Sequence, residues 1–341
     1  MRLLLILLLG ATSVAQSIQV QISHTKESLR GVSAVSRQVA WASGTHGTYL
    51  RTVDGGQTWI TAQVPDLSAL DFRGVVAFSA DEAFLMSSGP GEQSRIYHTA
   101  DGGQHWLLQL TNTNPKGFFD SIAFWDPKHG VVLGDPIPDE SGKLKFEVLL
   151  TDDGQTWHSI SAELPDAIEG EGAFAASNSC IAVLDANIWF ATGGKAARVF
   201  HSSDRGQTWQ VVKTPIQQGP ETAGIFSIAF RDALHGAIAG GDYKRSKDDG
   251  PNLAFTEDGG NSWAIAPIQP QAYFSAVAYD RAHAQRVFAV GLNLILNIRV
   301  PSRSRRIGDK KKQSVAVNAA SPYSEGGVLL VGPNGTIANI R

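Results

Sequence analysis

Seven side chains in this sequence have types suited to gripping a charged or polar ligand: Arg30, Arg73, Asp135, Glu171, Asp242, Tyr243 and Lys244. Guanidinium and ammonium groups bind carboxylates and phosphates, the three acids bind cations and amines, and a tyrosine adds an apolar face with a polar tip. This is recognition chemistry rather than bond-making chemistry. Other chemistries lack their residues. No His-x-x-Glu-His, Cys-x-x-Cys or calcium-loop spacing occurs, and no Gly-x-Gly-x-x-Gly joins a strand to a helix. His129-Gly130 and His235-Gly236 read as hairpin residues. The expectation is no catalytic residue, no metal and no cofactor. Cys180, the single cysteine, lies in an apolar stretch and reads as a small buried hydrophobe, so no intrachain disulfide can form.

What must position those residues is a repeat. Thr52-Val-Asp54-Gly-Gly56-Gln-Thr-Trp59 recurs as Thr99 to Trp106, Thr151 to Trp157, Ser202 to Trp209 and Thr256 to Trp263. Successive tryptophans fall 47, 51, 52 and 54 residues apart, and a period near 50 marks a repeat architecture. Asp close before Gly is turn chemistry: the carboxylate accepts backbone N–H bonds and the glycine takes a positive φ. The Trp then opens a strand. The third copy is one residue short, so its carboxylate is Asp152 or Asp153, and Asp152 is taken as the box residue.

The pattern Ser/Thr-x-Asp-x-Gly-x-Thr-Trp resembles the Asp-box, or BNR repeat, of sialidases, sortilin-type receptors and photosystem II assembly-factor-like propellers, over about residues 30–341. The resemblance implies a β-propeller with each box on the turn between the third and fourth strands of a blade. It implies a structural role for Asp54, Trp59, Asp101, Trp106, Asp152, Trp157, Asp204, Trp209, Asp258 and Trp263. Members of the assembly-factor-like group act as assembly or stability factors for membrane complexes. Sialidases instead use three arginines, a Tyr activated by a Glu, and an acid/base Asp. Arg30, Arg73, Glu171, Asp242 and Tyr243 supply such types, yet a third arginine is not identifiable and the Arg-Ile-Pro segment of those enzymes is absent.

Aligned back from each box, the chain shows first strands at Val32–Val35, Val75–Phe78, Ile122–Phe124, Cys180–Val183, Ile228–Phe230 and Ala276–Tyr279. A seventh unit runs through 314–319, 327–331 and 336–340 and lacks a fourth strand, for which the alternating Ile18-Gln-Val20-Gln-Ile22 is the candidate. The expectation is an all-β, seven-bladed propeller closed by its N-terminal strand, with six or eight blades as alternatives. In this topology the approaches to first strands and the loops between second and third strands share the face opposite the box turns. All seven ligand-gripping residues should ring that mouth, since loops on a rigid scaffold are where binding lives. The sixth blade carries no box. Its Arg299 to Lys312 holds seven basic residues and one acid, and reads as a degenerate solvated turn. A patch for anionic lipid or nucleic acid, and a local shift of coding frame, are the alternatives.

Residues 1–15 have a basic start, an apolar run from Leu3 to Leu9 and small residues at Ser13 and Ala15, the pattern of a cleaved secretory signal. Residues 16–341 then form one propeller domain, exported to the periplasm or medium. The run is too short to span a membrane. The absence of a Cys after the cut argues against a bacterial lipoprotein route. A net charge of −3 excludes nucleic acid as a partner held by bulk electrostatics. The expected function is a non-enzymatic monomer that binds a protein partner, for instance of a membrane complex, as an assembly scaffold. A secreted glycan-binding or sialidase-like propeller is the alternative.

Overall fold

The computed structural model describes residues 18–248, 250–292, 294–300, 303–306 and 315–341. Seven antiparallel sheets are arranged as the repeat requires, and five have four strands in chain order from the innermost outward. The seventh takes the N-terminal strand as its outermost, and the fifth is extended at its inner edge by Glu171–Gly172 and Gly193–Gly194. The first blade shows the pattern: Leu29–Ala34, Ala40–Gly44, Thr48–Thr52 and Ile60–Gln63. The innermost strands of the others are Phe72–Ala77, Phe119–Asp126, Ile181–Leu184, Ala223–Phe230, Ala276–Tyr279 and Ala319–Pro322. The seventh begins five residues later than the expected 314; just before it, the Asn318 side-chain amide donates to Leu29 O at 2.8 Å, tying blade 7 to blade 1.

Ring closure follows the expectation. Ile18–Gln21 is the fourth strand of blade 7, with Ile18 opposite Ile340 and Gln21 opposite Ile337. Gln21 also seats the first box, donating to Gly55 O and accepting the Trp59 indole N–H at 2.9 Å.

Seven hydrophobic clusters, one for each pair of neighbouring blades, hold the ring together. Each box tryptophan packs between its own blade and the preceding one. Trp106, for example, lies edge-on to Trp41 and Tyr49 of blade 1. The box is thus a turn that aims a large apolar side chain across an interface.

Within the first box, Thr52 Oγ1 accepts the Gly56 N–H and donates to Asp54, each at 2.9 Å. Asp54 in turn accepts the Thr58 N–H at 2.9 Å and the Thr58 hydroxyl at 2.6 Å. The third copy corrects the sequence reading. Asp153, not Asp152, accepts from Thr151, Thr156 N and the Thr156 hydroxyl. The Thr-to-Asp spacing is kept and the missing residue is lost between Asp and Gly, so counting back from the tryptophan lands one position early. Asp153→Ala is expected to lower the melting temperature by a few degrees, about 2–4 °C, and Asp152→Ala to leave it unchanged, read by circular dichroism.

Hydrogen bonds donated by Thr58, His105, Thr208 and Ser262 hold Asp54, Asp101, Asp204 and Asp258 at about 2. The folded chain binds these protons less tightly than the unfolded chain. Their contribution is therefore full above about pH 4 and lost as pH falls toward about 2. The melting temperature is expected to fall modestly across that window, the exposed carboxylates being screened by solvent.

Blade 6 keeps its outer strand without a box: Arg303–Arg306 pairs with Ile295–Arg299, Arg303 opposite Arg299. Within the stretch expected as a solvated turn, 303–306 is therefore strand, while residues 301, 302 and 307–314 lie outside the described residues. So do residues 1–17 and with them the expected signal segment. No helix among the described residues is long and apolar enough to cross a membrane.

Candidate functional site

Register fixes which end of each blade carries which residues. In blade 3, Gly130 pairs with the box residue Thr151, while Gly134, just before Asp135, pairs with Glu147, and the pairing runs on away from the box to Pro138 and Leu144. In blade 5, Gly236 pairs with Thr256, and Asp242 closes the same strand six residues on. Asp135 and Asp242 thus lie at the end remote from the box turns, as do Arg30 and Arg73 at the starts of their inner strands.

A bulge places the two arginines. Pairing skips from Leu29 to Gly31 in blade 1 and from Phe72 to Gly74 in blade 2, leaving Arg30 and Arg73 as the extra residues. Such a bulge bends the strand and re-aims its side chain. The same skip in blades 3 and 5 leaves Asp120 and Phe226 in the equivalent position. Sequence reasoning missed these two, although the column was legible: Arg-Gly-Val, Arg-Gly-Val, Asp-Ser-Ile and Phe-Ser-Ile begin at 30, 73, 120 and 226.

The mouth so formed has three walls. Arg30 and Arg73 make the basic one. Burial, and then the neighbouring Arg73, push the Arg30 guanidinium below its usual range, while Arg73 Nε donates to Asp71 at 2.8 Å. Asp120, Asp135 and Glu147 of blade 3 make the acidic wall. Burial raises all three, and Asp135 and Glu147 add repulsion at Asp120. Asp135 is pushed up to about 6, so its contribution to stability is fullest below about pH 4 and lost as pH rises through 6, opposite in sign to the box aspartates. The third wall is aromatic. Phe226 stacks on Phe174 with centroids 3.8 Å apart and meets Tyr273 and Tyr243 edge-on at 4.7 and 6.1 Å. Tyr243 is 47% exposed and tops this wall, and Lys244 beside it is exposed.

Two expected rim residues are not free for a ligand. Glu171 is buried and accepts from Arg198 Nε at 2.9 Å, Thr192 Oγ1 at 2.6 Å and the Ile168 N–H at 2.9 Å. Its carboxylate is consumed by the fold, and nothing joins it to Tyr243 as a glycosidase pair would need. Asp242 is likewise buried, accepting from Thr222, Lys244 N and Arg245. Arg30, Arg73, Asp135, Tyr243 and Lys244 remain at the mouth. Cys180 is buried and its thiol is pushed far up by desolvation, which leaves no thiolate to react.

Comparison with known proteins agrees with this fold. A family model described as photosynthesis system II assembly factor YCF48 matches residues 11–118. The photosystem II assembly lipoprotein Ycf48 of Synechococcus sp. (strain CC9902) is 22% identical over 269 residues, covering 72% of this chain and 65% of that protein. This chain therefore spans just under two thirds of that relative's length. Among solved structures, YCF48 bound to D1 peptide superposes with a TM-score of 0.68 at 17% identity, covering 95% of this chain and 96% of the other. YCF48 from Cyanidioschyzon merolae gives 0.64 at 18% identity, covering 95% and 99%. At such identities the structures speak for the fold. The chain is a seven-bladed Asp-box β-propeller that resembles the photosystem II assembly factors of the YCF48 type.

Proposed function

We propose that this chain is an exported, non-enzymatic propeller that acts as a monomer and holds a segment of a protein partner, a component of a membrane complex, across the mouth opposite its box turns. One observation carries this reading: four inner strands carry the same bulge, and it delivers Arg30, Arg73, Asp120 and Phe226 to one mouth. A bulge costs ladder pairing, so repeating it at the start of four blades favours recognition over packing. The similar protein solved as YCF48 bound to D1 peptide supports a polypeptide ligand. Arg30, Arg73, Asp135, Tyr243 and Lys244 are the residues assigned to the partner, with the basic and acidic walls fixing its direction and the aromatic wall anchoring an apolar side chain. A photosynthetic role is no part of the proposal.

Affinity capture from envelope extracts tests it, with the mature chain beside an Arg30→Ala/Tyr243→Ala variant. Neither side chain is tied into the fold by a buried ion pair, unlike Asp242, so the variant should stay folded. A protein retained by the first and reduced at least about tenfold on the second, the loss expected for two anchoring residues, is the result expected. Equal capture by both would move the interface off the mouth.

A further inference from the structure

The long link into blade 4 does not skirt the mouth but crosses it. Glu171–Gly172 pairs with Gly193–Gly194, which in turn reaches Gly224 of blade 5. This approach needs glycine: a Cβ on Gly193 would lie 2.2 Å from a Phe174 ring atom and 2.9 Å from Gly224 Cα. From there residues 173–179, Ala-Phe-Ala-Ala-Ser-Asn-Ser, touch four other blades. Ala173 N donates to Asp135 of blade 3 at 3.0 Å, and Ala175 O accepts from Arg73 of blade 2 at 3.2 Å. Ala175 N faces Asp120. Ser177 Oγ donates to Ser275 O, at the start of blade 6, at 2.7 Å. Phe174 stacks on Phe226 of blade 5, and Asn178 Oδ1 accepts the Ile122 N–H of blade 3 at 2.8 Å.

We infer that this strap is a displaceable internal occupant of an extended-peptide site, holding the place that a partner segment takes. The inference rests on the proposed protein-binding mouth and specifies how a segment enters it. Three features support it. The strap is gripped as a peptide would be, through backbone groups at Ala173 and Ala175, one aromatic anchor at Phe174 and the polar side chains of Ser177 and Asn178. It pairs in a ladder only at Glu171–Gly172, and its side chains are mostly small, so lifting it costs little packing. It also satisfies its surroundings incompletely. Among the described residues, buried Asp120 Oδ2, Asp71 Oδ1 and Arg30 Nε have no hydrogen-bond partner. Orphaned buried polar atoms are costly, and a segment bringing its own polar side chains would satisfy what Ala175 and Ala176 cannot.

Hydrogen exchange on the intact chain, together with binding of a synthetic peptide of residues 173–179, which leaves the Glu171–Arg198 pair in place, tests this without any natural partner. The Ala173 and Ala175 amides are expected to exchange about a hundredfold faster than inner-strand amides such as that of Val277, through local opening. Phe174→Ala is expected to bind the peptide about tenfold more tightly than the unaltered chain, because losing the ring stack frees the site more often. Strap amides as slow as the inner strands, or equal peptide affinity for both chains, would overturn the inference. Should Phe174→Ala fail to fold, the exchange rates of the unaltered chain decide alone. The capture experiment uses neither readout, so either idea can fail by itself.

Discussion

Replacing Glu171 with alanine is expected to cost about 3–5 kcal/mol of folding stability. The reason is what remains behind. Arg198 is only 8% exposed, and its guanidinium donates twice to Glu171, with a third bond to Asp166 O at 3.1 Å. Removing the carboxylate strands a buried cation, and Thr192 Oγ1 and the Ile168 N–H lose their acceptor as well. Chemical denaturation of Glu171→Ala should show the midpoint falling at unchanged slope. Glu171→Gln keeps one oxygen acceptor and should sit between the two. A stable Glu171→Ala chain that had lost partner capture would instead return this residue to the rim, where its sequence position alone had placed it.

Deleting residues 18–21 is the second large effect, at several kcal/mol, counting about 0.5–1.5 kcal/mol for each ladder bond lost and for each of the two Gln21 side-chain bonds. Ile18 to Gln21 pair residue by residue with Ile340 to Ile337, and Gln21 links this strand to Gly55 and Trp59 of blade 1. Without them Ile337–Ile340 becomes an exposed edge carrying unpaired N–H and C=O groups, an invitation to edge-to-edge association. Calorimetry should show a lower melting temperature and size-exclusion chromatography a new oligomer. An unchanged melting temperature would mean that the ring closes without its terminal strand.

Most of the fold was legible because each blade announces itself locally. Thr, Asp, Gly and Trp at fixed spacing specify one turn, and the alternation of Ile18 to Ile22 marks a strand. That strand ends at Gln21, however, and Val20 and Ile22, at 67% and 73% exposure, are not buried as the alternation implied. The site was legible only in part, for a physical reason. Arg30 and Arg73 could be placed because their column precedes an apolar strand in two successive blades. Glu171 and Asp242 could not, because their partners Arg198 and Arg245 are revealed by packing and loop closure rather than by spacing. The seventh inner strand was set five residues early, because no box fixes the register of that blade. The strap illustrates the same limit. A link that is longer than its counterparts is visible in the sequence, but its path across the mouth depends on Arg73, Asp135, Phe226 and Ser275, which come from four different blades.

Site-specific photo-cross-linking tests the central claim most directly. A benzophenone amino acid replaces either Tyr243, at the mouth, or Val53, which is 49% exposed on the first box turn at the opposite face. With envelope extract present, the account predicts a cross-linked partner protein from position 243 and none from position 53. Cross-links from position 53 with none from position 243 would place the partner on the box face and contradict the account.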